Sequence, residues 1–148
     1  MLAVLTSPAC FSSLSTKETW STLNSYENMF GPYHLQTLVL TVRIAQALWA
    51  AGEVRNAQRL LEYSAKHLDR YGDAHAVRIS ALTALRDLLL EQPDFEKAIA
   101  VQREIVVCRT QMRGPEDPEV VDEKSKLAGM LMDNGTAAER YNLYTEAN

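Results

Sequence analysis

Apolar residues return along this chain at helical spacing, and sustained two-residue alternation of the kind a strand needs is absent. Leu38, Thr41, Ile44, Ala45 and Leu48 fall three, three, one and three residues apart, which puts them on one helix face. Gly52 breaks that pattern, as a residue able to take the left-handed conformation that ends a helix. Val54, Ala57, Leu60, Leu61 and Leu68 then mark a second helix, expected to stop at Gly72. Further helices are expected near Ala74–Glu91 and Phe95–Arg113, separated by Pro93 with Asp94 as cap. Asp117-Pro118 supplies a cap followed by proline at the first helical position. Thr136-Ala137-Ala138-Glu139 and Ser15-Thr16-Lys17-Glu18 have the form of capping boxes, the latter opening a helix from about Thr16 to Phe30.

These helices repeat. Gly31-Pro32-Tyr33-His34 returns as Gly72-Asp73-Ala74-His75 and again as Gly114-Pro115-Glu116-Asp117, with the glycines 41 and then 42 residues apart. Ile44, Leu85 and Leu127 form a column at the same offsets, as do Leu48, Leu89 and Leu131. Val54, Phe95 and Ala137 form another, then Leu60, Val101 and Leu143, with a turn column of Gly52, Pro93 and Gly135. A fixed period of this length is the signature of a helical array in which each unit buries its apolar face against a neighbour.

The period alone fits several repeat classes, since tetratricopeptide units run to about 34 residues and HEAT or armadillo units to about 40–47. The stretch Leu88-Leu89-Leu90-Glu91-Gln92-Pro93-Asp94-Phe95-Glu96-Lys97-Ala98-Ile99 resembles the centre of a tetratricopeptide repeat, with Ala57 and Ala98 each five residues beyond the turn. The Gly-Pro-x-His opening and long period resemble the kinesin-light-chain branch of that superfamily, over about residues 31–147. The resemblance implies an all-α fold, a right-handed α-α superhelix (solenoid) of about three antiparallel helix pairs plus an N-terminal helix. It implies one domain over residues 1–148, with an extension and helix over 1–30 and repeats near 31–71, 72–113 and 114–148. Three positions depart from the pattern. Arg86 stands where a small mid-helix residue is expected and is read as snorkelling into water. Arg140 replaces the alanine of the third unit, and Asn148 comes before that unit's last helix is complete.

Composition narrows the function classes. With 47% hydrophobic and 23% charged residues the chain can bury one core and is not a disordered type. The formal charge is −4, concentrated as three basic against eight acidic residues over 114–148. Counted by segment, no basic stripe for phosphates emerges, so nucleic acid is not expected as a main partner. Glu116, Asp117, Glu119, Asp122 and Glu123 have two readings: support for the following helix N-terminus, or a surface for a basic partner. Cys10 and Cys108 form no CxxC and suggest buried thiols in a reducing, cytoplasmic setting. Met1–Leu5 is too brief for a signal peptide, Ser7-Pro8-Ala9-Cys10 lacks a long apolar lead, and no membrane span is expected.

Candidate chemistry is sparse. His34 and His75 recur in equivalent loops, His67 stands alone, and no HExxH, Cys/His cluster or phosphate loop is present, so no metal, cofactor or catalysis is expected. The resemblance implies instead a concave groove lined by first helices. It assigns Val39, Val42, Arg43, Gln46 and Trp49 in the first unit, and Ser80, Thr83, Asp87, Leu90 and Glu91 in the second. The third supplies Asp122, Ser125, Lys126 and Met132. Trp49 is either an anchor for a ligand or a cover for the core edge. The paired asparagines of kinesin-light-chain relatives are replaced by Val42-Arg43, Thr83-Ala84 and Ser125-Lys126, and the carboxylate clamp of chaperone adaptors is absent. The expected function is a non-catalytic scaffold that binds a peptide or protein segment. Self-assembly as a homo-oligomer, or service as a regulatory sensor segment of a larger repeat protein, is the alternative.

Overall fold

A computed structural model of the chain describes residues 16–71 and 75–134. The described residues are all-helical: α1 (Thr16–Phe30), α2 (Leu35–Ala50), α3 (Val54–Leu68), α4 (His75–Glu91), α5 (Phe95–Arg113) and α6 (Pro118–Asn134). Consecutive helices pack together, α1 on α2, α2 on α3, and α5 on α6, an all-α, repeat-like arrangement. Two compact units are divided between Ala84 and Leu85, inside α4. Helix bounds follow the sequence pattern closely. α3 ends at Leu68, however, before Gly72, and the expected helix at Thr136 lies outside the described residues, as do Cys10, Gly135, Ala137, Arg140 and Leu143.

The first unit is organised by α2. Its sequence LQTLVLTVRIAQALWA holds one charge, Arg43, and Thr37, Leu38, Leu40, Thr41, Val42, Ile44, Ala45 and Leu48 are all buried. A helix so apolar on several faces needs cover on several sides. Thr37 and Thr41 fit this setting because their hydroxyls find carbonyls: Thr41 Oγ1 donates to the Thr37 carbonyl at 2.7 Å, and Thr37 Oγ1 to the Tyr26 carbonyl of α1 at 3.5 Å. The α2–α3 turn is closed by Gly52 at φ +89°, a conformation that suits glycine. Gly52 N–H donates to the Trp49 carbonyl (3.0 Å) and Glu53 N–H to the Leu48 carbonyl (2.9 Å), the paired bonds that satisfy a helix C-terminus. α3 then presents a narrow apolar face of Ala57, Leu61, Ser64, Ala65 and Leu68.

The start of α2 is fixed by the Gly31–His34 loop. Gly31 sits at φ +90°, and its repeat counterpart Gly114 at φ +86°, so the recurring glycine answers a recurring backbone need. His34 caps α2, its Nδ1 accepting from Gln36 N–H at 3.1 Å while its ring stacks 5.2 Å from Phe30. Two tyrosines of the α3 side strap this loop: Tyr63 donates to the Pro32 carbonyl (3.2 Å) and Tyr71 to the Tyr33 carbonyl (2.6 Å).

In the second unit a polar network stands where the first has hydrocarbon. Arg86 does not reach into water: its side chain is 12% exposed. It donates from Nη1 to Gln102 Oε1 at 2.8 Å and lies 3.5 Å from Glu123 Oε2. Gln102, fully buried on α5, donates from Nε2 to the Glu123 carbonyl (2.9 Å) and carboxylate (2.7 Å). Arg109 Nε and Lys126 Nζ approach the other carboxylate oxygen at 3.4 and 3.6 Å. The expectation that Arg86 keeps its charge wet fails because α6 carries an anion to it. A paired, hydrogen-bonded cation can be buried at tolerable cost, whereas an unpaired one cannot.

The repeat columns are buried unevenly. Leu48, Leu89 and Leu131 are buried, as are Ala57, Ala98 and the thiol Cys108. Val54 is half-buried and Phe95 exposed, because each is the first residue of its helix, and Leu127 in the middle of α6 is half-buried.

Two measurements check this packing. Ala57→Arg forces a charged side chain into a fully buried site and is expected to cost about 3 kcal/mol; near-normal thermal melting would contradict the α2–α3 packing. Arg86→Met or Glu123→Leu alone is expected to destabilise by about 3 kcal/mol. The double variant should cost clearly less than the sum, because it leaves no orphaned charge. Strict additivity in that cycle would dissolve the proposed pairing.

Candidate functional site

Four of the groove positions expected from the repeat come together in the first unit. Val39, Val42, Arg43 and Ser80 line a cleft of about 210 Å³, with Ala76 and Val77 completing its wall. α2 brings Val39, Val42 and Arg43 to one side through spacings of three and one, and α4 brings Ala76, Val77 and Ser80 to the other. Val42 is buried, Val39 and Val77 are half-buried, and Arg43 and Ser80 are exposed, so the floor is aliphatic and the rim polar. Arg43 is the one charged residue lining this cleft. No carboxylate among the described residues lies within ion-pairing distance of it.

The other expected groove residues are placed as follows. Gln46 and Trp49 continue along α2 and Thr83 along α4; all three are half-buried, and Trp49 is already engaged within the protein. In the second unit Asp87 accepts from Arg86 Nε and Nη2, both at 3.1 Å. Leu90 is half-buried and Glu91 exposed. Lys126 pairs with Asp122 at 3.2 Å, Ser125 Oγ donates to the Val121 carbonyl, and Met132 is exposed. The acidic lead-in to α6 serves the helix itself. Asp117 Oδ1 caps Glu119 N–H at 2.9 Å, and Glu119 pairs with Arg109 (3.1 Å) and Arg113 (3.5 Å).

Two surfaces escaped the sequence reading. The first is an aromatic cluster: Tyr33 and Tyr63 stack with centroids 6.1 Å apart, His67 lies 4.6 Å from each, and the Arg70 guanidinium sits 5.4 Å over the Tyr33 ring. Tyr33 comes from the loop and Tyr63 and His67 from α3, so only the fold joins them. The Tyr63 hydroxyl is pushed up, chiefly by burial and then by Tyr33 and Glu27. His67 is pushed below its ordinary value by desolvation first, then by the Arg70 and Lys66 charges.

The second is a row of cations. Arg55, Arg59 and Lys66 are exposed on α3, spaced four and seven apart and therefore on one helix face, with Arg70 just beyond. Counting charge by segment, net of nearby acids, concealed this row. Helical spacing of the cations was the signal that would have found it, opposite the apolar Ala57, Leu61 and Leu68.

Among the described residues no group of three or more His, Cys, Asp or Glu could hold a metal ion. No helix among them is long and apolar enough to cross a membrane. No protein-family model and no curated protein matches this chain.

The lowered affinity of His67 for protons sets a sign for pH dependence. Folding favours the neutral ring, so this contribution to stability is fully present above the unfolded-state value near 6.5. It is lost as pH falls below that value towards the folded one. Thermal melting of the parent should therefore drop more between pH 7.5 and 5.5 than that of His67→Gln; parallel slopes for the two proteins would refute the assignment.

Proposed function

We propose that the chain is a tetratricopeptide-like, non-catalytic scaffold that holds a short peptide segment of a protein partner in the cleft between α2 and the N-terminal half of α4. The observation that carries this reading is convergence: four positions that the family resemblance assigns to a groove, Val39, Val42, Arg43 and Ser80, line one cleft. The right-handed superhelix of stacked pairs, related to the kinesin-light-chain branch, belongs to the same reading and is supported by the consecutive helix packing and buried repeat columns.

Size and chemistry narrow the occupant. Pockets for cofactors and drug-sized ligands run to about 300–1,000 Å³, and this cleft of about 210 Å³ suits one or two aliphatic side chains of a bound chain. The valine floor offers apolar burial, Ser80 a hydroxyl for the backbone, and Arg43 donors at the rim. A cytoplasmic setting fits the free, buried thiol of Cys108.

The test is peptide selection on the intact chain by display, followed by titration. Ser80→Trp, which fills the cleft from an exposed position, and Arg43→Glu are each expected to weaken the selected peptides by about tenfold or more, with melting unchanged. Selected peptides that bind both variants like the parent would reject the cleft as the site.

A further inference from the structure

The outer face of α3 is unusual for a molecule of net charge −4. Arg55, Arg59 and Lys66 project from it into solvent, and Arg70 follows at its C-terminal end. On the second unit several exposed cations have taken anionic partners: Arg113 pairs with Asp117 and Glu119, Lys126 with Asp122, and Lys97 with Asp94. On α3 no carboxylate among the described residues lies within 4.0 Å of any of the four. Glu62, the one acid within the row, accepts a hydrogen bond from Gln58 at 3.0 Å, and neighbouring Asp69 lies 3.9 Å from Arg78.

The reason these charges face outward is the packing of α3. Ala57, Leu61, Ser64, Ala65 and Leu68 turn inward, so positions four, seven and eleven residues after Arg55 fall on the opposite side. With a rise of about 1.5 Å per residue, Arg55 and Arg59 are about 6 Å apart along the axis, and Arg55 to Lys66 spans about 16 Å. At its far end Arg70 lies over the ring of Tyr33, a residue 46% exposed. Arginine and tyrosine at an open surface are the residue types that most often anchor protein interfaces.

We infer that this face of α3 is a second docking surface, separate from the cleft, for a short acidic segment of a partner protein. Its carboxylates pair with Arg55, Arg59 and Lys66, and an apolar or aromatic side chain rests on Tyr33. Charge complementarity carries the choice of occupant, and length decides between polyanions. A nucleic acid or an anionic bilayer extends well beyond about 16 Å and meets the field of a molecule that is acidic as a whole. A short peptide meets only the row, because the field of other charges is screened over about 8–10 Å. Extended chain advances about 6.7 Å every two residues, close to the Arg55–Arg59 step.

The experiment uses the intact chain and a fluorescein-labelled peptide repeating Glu-Ser-Glu-Tyr. Controls are the same peptide with glutamine for glutamate, oligothymidylate of equal charge, and phosphatidylserine vesicles. The acidic peptide is expected to bind, with Kd rising as salt is added. Arg55→Gln/Arg59→Gln should raise Kd by about tenfold, and Lys66→Gln, a separate position, should weaken binding in the same direction. Arg43→Gln and Ser80→Trp should leave it unchanged, so failure here and failure of the cleft are told apart. All these positions are exposed, and unchanged melting confirms intact folding. Three results overturn the inference: equal binding of the glutamine peptide, parental affinity in the α3 variants, or tighter binding of oligothymidylate or vesicles at equal charge.

Discussion

The first unit depends on the burial of one helix, α2, which has a single charged side chain in sixteen residues. Its Leu38, Leu40, Ile44 and Leu48 are almost fully removed from water, and each such side chain contributes about 1.5–3 kcal/mol towards folding. No amphipathic pairing with one neighbour could cover so many faces. α1 packs on one side and α3 on another, and the first turns of α4 line the cleft that remains. Arg43, the one charged residue of the helix, lies at that opening, so the feature that drives folding also defines the candidate site.

The same constraint shapes α3. To lie close to α2 it uses small residues at its contact, Ala57, Ser64 and Ala65, and a narrow apolar stripe overall. Everything else on that helix is free to be polar, and its cations gather on the far side. The tyrosine straps from Tyr63 and Tyr71 hold the loop that starts α2, so the aromatic cluster around Tyr33 is first a fastening and then a surface. The second unit reaches a similar end by different chemistry. Gln102 and Glu123 are buried, and Arg86 nearly so, and they are satisfied mainly by one another rather than by hydrocarbon. Such a network is sensitive to the loss of any member, since each removal strands a buried polar group.

Helix placement was legible in the sequence because it rests on local rules. Gly52 ends α2, Asp94 and Asp117 cap α5 and α6, and the leucine column at 48, 89 and 131 is buried throughout. Four of the six residues lining the cleft were legible too, through the family resemblance that assigned Val39, Val42, Arg43 and Ser80. What escaped was whatever depends on a residue distant in sequence. Arg86 read as an intruder because its anion, Glu123, is 37 positions away on another helix. The meeting of Tyr33 with His67 required the loop to fold back on α3. The basic row was hidden for another reason: segment totals average over faces, and Glu53, Glu62 and Asp69 offset the cations in the count although only Glu62 shares their helix face.

We propose that the uncovered side of α2 is where a partner peptide is held. Methyl chemical-shift mapping by NMR, on adding a display-selected peptide to the intact chain, reads this directly. The expected result is large shifts for Val39, Val42 and Val77, with Val107 and Val121 of the second unit unmoved. Shifts confined to Val107 and Val121, or the absence of any at Val39 and Val42, would contradict it.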